Sequence, residues 1–196
     1  ATLNNLGNLE KTIGNYSEAN KYFQLNIDKN NFLSSWINKS NLLIQQENFY
    51  DCLTFTKLAL SKYANDLKLR NNYAISLFNC GFKKECLNIY RDFDINNSHF
   101  SESLINYSKV LFQLKLYDES LKVINTLLFS NNNHIDALTQ RYLIYRDLKK
   151  YSKAEEDLLA AYNFDKTNLL TNQMLVDFLM FLKKYSNAIY HCNLML

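Results

Sequence analysis

Leu116-Tyr117-Asp118-Glu119-Ser120 is the stretch on which the chain turns, because the chain repeats its pattern at a fixed interval. The same phrase stands as Asn15-Tyr16-Ser17-Glu18-Ala19, Asn48-Phe49-Tyr50-Asp51-Cys52 and Phe82-Lys83-Lys84-Glu85-Cys86. It returns as Lys150-Tyr151-Ser152-Lys153-Ala154 and Lys184-Tyr185-Ser186-Asn187-Ala188. The small closing residue therefore falls at 19, 52, 86, 120, 154 and 188, one step of 33 and four of 34. A period of this length marks stacked helical hairpins, each too small to bury its apolar face alone.

Each period divides into two helices. The first (A) is expected over about 2–13, 34–46, 67–80, 101–114, 135–148 and 169–182. The second (B) is expected over about 16–28, 49–62, 83–94, 117–130, 151–164 and 185–196. The units then run about 1–31, 32–65, 66–99, 100–133, 134–167 and 168–196, a single array over 1–196 with the last unit cut short. In the fourth unit Leu104, Tyr107, Leu111 and Leu114 share one face of A, and Leu121, Ile124, Leu127 and Leu128 one face of B. Where A and B cross, the B slot carries Ala, Cys, Cys, Ser, Ala and Ala. Its partner on A is Gly7, Ser40, Ala74 and Ser108, then the bulkier Tyr142 and Val176, which predict hairpins that splay a little or cross differently at the end of the array. Asn-rich breaks (Asn30-Asn31, Asn65, Asn96-Asn97, Asn131 to Asn133, Asn168) end the units where Gly and Pro are scarce.

Composition agrees. Apolar residues are 47% and charged residues 21%, with 3 Gly and 0 Pro, which leaves little punctuation for strands. A net charge of +3 calls for neither nucleic acid nor an anionic membrane. No apolar run reaches bilayer length. The four cysteines (52, 80, 86, 192) sit singly on predicted helices and read as reduced core thiols of a cytoplasmic protein. Ala1 and the apolar end Asn193-Leu194-Met195-Leu196 read as the edges of a segment from a longer protein.

Leu6-Gly7, Gly14 to Ala19 with Phe23, Trp36 near the start of a helix A, Tyr73-Ala74 with Cys86 and Tyr90, and Leu138 with Ala154 and Ala161 together resemble the tetratricopeptide repeat. The resemblance covers the whole chain, although no Pro follows any helix B. The 35-residue RNA-binding helical repeat fits the spacing less well. What the resemblance implies is an all-α, right-handed superhelix whose A helices line a concave groove that takes a peptide or partner helix.

Asn5, Asn38, Asn72, Asn106 and Gln140 lie one period apart on the expected groove face, with Asn8 and Asn41 beside the first two. Each amide offers donor and acceptor, so such a column could hold a peptide backbone. It is similar to the ladder in nucleocytoplasmic sugar transferases that carry these repeats. Lys68 partly matches the family's clamp for a terminal carboxylate. Asn4 and Asn72, however, stand where that clamp requires Lys and Arg. Ile75, Phe78, Phe112 and Met180 add an apolar stretch suited to a partner's side chains.

Lys83-Lys84, Lys115, Lys149-Lys150 and Lys183-Lys184, with Tyr117, Tyr151 and Tyr185, predict a basic edge. A solvated rim, with the tyrosines in the hairpin core, is the plainer reading. Cys80 and Cys86 form no Cys-x-x-Cys pair, and His99 and His134 fall in breaks with no nucleophile nearby in sequence. No catalytic site, metal, cofactor or small-molecule substrate is expected. The expected role is a non-catalytic protein- or peptide-binding scaffold. The alternative is the recognition arm of a larger glycosyl-, sulfo- or methyltransferase, and self-association through the C-terminal helix is a further option.

Overall fold

The structure, a computed structural model, describes residues 2–93 and 101–194. The described residues form helices and no strand. They fall into two compact units, residues 1–94 and 95–196. The first contains α1 (Thr2–Thr12), α2 (Tyr16–Asn30), α3 (Leu33–Gln45), α4 (Phe49–Lys62), α5 (Leu67–Asn79) and α6 (Lys83–Arg91). The second contains α7 (Ser101–Gln113), α8 (Tyr117–Ser130), α9 (Ile135–Asp147), α10 (Tyr151–Phe164), α11 (Leu169–Phe181) and α12 (Tyr185–Asn193). Within each unit consecutive helices pack on each other, and α3 also touches α1 and α5, as α9 touches α7. Each unit is thus three helical hairpins in file. The break at Asn96-Asn97, His99, and the ending Met195-Leu196 lie outside the described residues.

The hairpins share one turn, and backbone hydrogen bonds define it. Lys149 N donates to Arg146 O (3.0 Å) while Lys150 N reaches back to Tyr145 O (2.8 Å). The same pair recurs at Gly14/Asn15, Glu47/Asn48, Gly81/Phe82, Lys115/Leu116 and Lys183/Lys184. This is the Schellman ending, in which a left-handed residue lets two amides satisfy the last carbonyls of the helix. That residue is Gly14 (φ 84°), Glu47 (57°), Gly81 (90°), Lys115 (61°), Lys149 (58°) and Lys183 (61°). A long side chain in this conformation costs about 1–2 kcal/mol relative to its preferred basins. Four of the six turns accept that because the paired bonds and the packing behind them fix the chain there. Between hairpins, Asn31 is left-handed (φ 50°) and Asn168 caps α11 by accepting from Thr171 N (3.0 Å).

The crossing slot is filled as its small side chains require. Ala19, Cys52, Cys86, Ser120, Ala154 and Ala188 are all buried. Opposite Ala19, a Cβ on Gly7 would stand 2.5 Å from the Phe23 ring, so the first crossing admits no side chain. Ser108 and Ser120 close the fourth crossing with a hydroxyl–hydroxyl contact of 2.8 Å. Tyr142, expected to splay its hairpin a little or change its crossing, is buried, and its ring meets Phe178 of α11 in a T-shaped contact at 5.1 Å. The bulk at this position is therefore absorbed by α11.

Between hairpins, Leu42 packs on Ala19 and Phe23, and Phe178 on Ala154 and Leu158, each an A helix seated on the preceding B. Trp36 joins Ile27, Ala59 and Leu69, stacks on Phe55 at 4.9 Å and donates to Asn31 Oδ1 (2.9 Å). The one buried ion pair of the described residues is bidentate: Arg141 donates to Asp157 through Nε (2.9 Å) and Nη2 (2.6 Å), and through Nη1 to Asn125. Burial pushes the Asp157 carboxyl upward against the pull of the guanidinium. No helix among the described residues is long and apolar enough to cross a membrane.

Two outcomes are expected. Ala154→Leu should lower stability by about 1–3 kcal/mol, since the slot has no room for three more carbons. An unchanged melting midpoint would show that 154 is not at the crossing. Burial also pushes the Cys52 thiol to about 11 and Cys86 to about 12, whereas Cys80 and Cys192 are only half-buried. At mildly alkaline pH a thiol reagent should therefore modify Cys80 and Cys192 in the native protein and reach Cys52 and Cys86 only on unfolding. Mass mapping of the labelled thiols reads this directly.

Candidate functional site

The A helices of each unit form a face on which the sequence places its candidate residues. In the first unit that face belongs to α1, α3 and α5. Adjacent A helices are offset by one repeat, so side chains a period apart come within hydrogen-bond reach. The amides use this reach on each other. Asn38 Nδ2 donates to Asn4 Oδ1 (3.0 Å), which also accepts from Ser35 Oγ (3.1 Å). Asn72 Nδ2 donates to Ser40 Oγ (2.7 Å) and Asn41 Oδ1 (2.6 Å). Asn72 is only 4% exposed, with both amide hydrogens engaged. The column is thus in part a set of stitches from α1 to α3 and from α3 to α5. Asn4, outside the expected groove set, is the acceptor that holds Asn38. Its spacing of 34 from Asn38 was the available signal.

What the first unit leaves at the surface is narrower than the sequence suggests. Asn5, Asn41 and Lys68 are exposed, and Asn8, Asn38, Ile75 and Phe78 are half-buried. In the second unit Asn106 is half-buried on α7, and Phe112 is half-buried with its ring 5.9 Å from that of Tyr117. Gln140 on α9 is 2% exposed, and its Nε2 finds no hydrogen-bond partner among the described residues. Met180 on α11 is half exposed.

A hollow of about 420 Å³ opens between α7 and the start of α9, where Asn106 is flanked by Glu102, Lys109, His134 and Asp136. It brings an amide, a cation, an imidazole and two carboxylates to one concavity, a set suited to gripping a polar chain at several points. Sequence reasoning selected only Asn106 of these. His134 ends up there because the inter-hairpin break places it just before α9.

The lysine edge takes a different form from a continuous basic strip. Lys115, Lys149 and Lys183 are the left-handed turn residues, Lys184 pairs with Glu155 (2.6 Å), and Asp118 and Glu119 stand beside Lys115. Tyr117 donates to Asp147 (3.4 Å) and the Tyr151 ring lies 5.4 Å from Phe181, so these tyrosines bind the next A helix. Among the described residues no group of His, Cys, Asp and Glu is arranged to hold a metal. His191 sits edge-on to Tyr162 at 4.7 Å with Nδ1 buried, and burial lowers its pKa from the ordinary value.

No protein-family model matches the chain, and no curated protein matches its sequence. Solved structures do match its fold. A thermophilic tetratricopeptide-repeat (TPR) protein of Thermus thermophilus is similar over 91% of this chain and 98% of its own, with TM-score 0.79 and 12% identity. A tetratricopeptide repeat protein of Parabacteroides merdae is similar over 97% of this chain and 76% of its own (TM-score 0.71, 16% identity). YrrB, described as a TPR protein with an unusual peptide-binding site, is similar over 88% of this chain and 89% of its own (TM-score 0.59, 16% identity). The chain therefore has the tetratricopeptide-repeat fold.

Proposed function

We propose that this chain is a non-catalytic interaction module which holds a segment of a partner protein, in extended form, on the faces of its A helices. The observation that carries the reading is the hollow between α7 and α9, where Asn106, Lys109 and His134 stand with Glu102 and Asp136 on one concave surface. A peptide backbone presents alternating donors and acceptors, and a mixed set of amide and charged side chains meets both. The repeat fold supplies the rigid support, and YrrB, a protein of the same fold, is described as having a peptide-binding site.

Within this reading the candidates divide by their exposure. Asn5, Asn41 and Lys68 would contact the ligand in the first unit, with Asn8 and Asn38 beside them, and Ile75 and Phe78 would receive its apolar side chains. Asn106 would serve the second unit, with Phe112 at the margin of its face. Asn72 and Gln140 would act as supports behind the surface.

The test is selection from a displayed library of random peptides, followed by anisotropy titration of the winners. Replacing Asn106 and Lys109 together by Ala should weaken binding by about 1 kcal/mol per lost hydrogen bond, several-fold in affinity for each. The melting midpoint should hold for Lys109→Ala alone, because that side chain is exposed. Asn72→Ala should instead lower the midpoint, since it removes the two hydrogen bonds that tie α5 to α3. Selected peptides that bind the Asn106/Lys109 double variant as tightly as the parent would refute the assignment of this face.

A further inference from the structure

The charged residues of the hollow between α7 and α9 are segregated along it. Glu102 stands in the first turn of α7 and Asp136 in the first turn of α9. Both line the hollow, both are exposed, and neither carboxylate has an ion-pair or hydrogen-bond partner among the described residues. Lys109, likewise exposed and unpaired among the described residues, lies seven residues beyond Glu102 on α7. At the rise of a helix that is about 10 Å along its axis. Asn106 lies between the two charges.

The first unit builds the corresponding seam, between α3 and α5, from other side chains. Ser34 and Lys68 hold the places of Glu102 and Asp136, and Asn41 that of Lys109. There the A-helix amides close on one another, since Asn72 donates to Ser40 and Asn41. In the second unit Gln140 holds the place of Asn72 and by the same register faces Ser108 and Lys109. It is 2% exposed, and its Nε2 has no partner among the described residues. The seam from α7 to α9 thus has two carboxylates at one end. At the other it has an ammonium, with a buried amide donor in register behind it. The first end is complementary to a cation, the second to an acceptor of hydrogen bonds.

On the peptide reading of the same hollow, we infer that it selects a mixed-charge segment of the partner protein. A basic side chain of the segment enters between Glu102 and Asp136, and an acidic one two or three residues away meets Lys109. An extended chain rises about 3.3 Å per residue, so that separation spans about 7–10 Å and matches the spacing of the hollow's own charges. Arginine suits the acid end better than lysine, because its planar guanidinium offers donors on two edges, one toward each helix. Asn106 meets the backbone between the two charged residues. Pairs this exposed add little affinity and act chiefly on choice of partner, because a segment with the charges misplaced brings like charges together.

The peptides selected from the random library test the inference. Those whose binding falls on the Asn106/Lys109 double variant should share a basic and an acidic residue two or three positions apart. In anisotropy titrations, replacing either charged residue of such a peptide by Ala should weaken binding about two- to five-fold. Glu102→Gln with Asp136→Asn should abolish the preference for arginine over glutamine at the basic position. Lys109→Glu should weaken the selected peptide and favour a form whose acidic residue is replaced by lysine, with circular dichroism confirming that each variant is folded. Peptides that need Asn106 and Lys109 but carry no such charge pattern overturn this inference and leave the peptide reading standing. A charge swap at Lys109 that leaves the peptide preference unchanged also overturns it. Peptides that bind every variant as tightly as the parent overturn both.

Discussion

Close approach of two helices in each hairpin is the constraint from which the rest follows. At the first crossing a hydrogen replaces any side chain, and at the others Ala, Ser or Cys is the largest group admitted on helix B. Bringing the backbones this near lets the flanking Leu, Ile and Phe of both helices interdigitate, where dispersion and exclusion of water hold the pair. The turn serves the same end. A left-handed residue after helix A reverses the chain within a few residues, so B starts in contact with A. The side chain at that residue points outward and is free to vary, which is why Glu and Lys stand there as well as Gly.

Fixed hairpins stacked at a fixed period bring equivalent residues of neighbouring units face to face. For apolar residues the result is a continuous core, as where Leu42 meets Phe23. For polar residues the same juxtaposition makes them each other's nearest partners. Asn4 with Asn38 and Asn72 with Asn41 are consequences of that geometry, and they convert a row of amides into cross-links between A helices. The crossing tyrosines behave likewise and meet the next A helix.

Much of this was legible in the sequence and some was not, for physical reasons that differ by residue. The helices and the small-residue slot could be read because periodicity and size act through local packing: α8 begins at Tyr117 and Ser120 lies in its crossing, as the spacing requires. Helix α2 runs on to Asn30 because the break is made by one residue, the left-handed Asn31. The availability of the amides was not legible, because whether Asn72 faces solvent depends on the distance to α3, which no spacing within α5 encodes. Tyr142 shows the same limit. Its bulk was visible, but the room for it is made beside Phe178, a residue 36 positions on, whose ring it meets in a T-shaped contact.

The break in the amide pattern bears on where a ligand would sit. In the first unit the donor of Asn72 is answered by Ser40 and Asn41. Two periods later the corresponding positions are Ser108 and Lys109, and the donor at 140 is a longer Gln. Ser108 is already committed to Ser120 across the hairpin, and an ammonium cannot accept a hydrogen bond, so Gln140 Nε2 has no partner among the described residues. A buried donor unanswered by protein is a standing cost of about 1–3 kcal/mol. That cost is incurred one turn along α9 from the residue that helps line the hollow, Asp136. Where the repeat satisfies itself it is scaffold. Where it stops doing so, at Gln140, the amide column no longer cross-links its neighbours among the described residues.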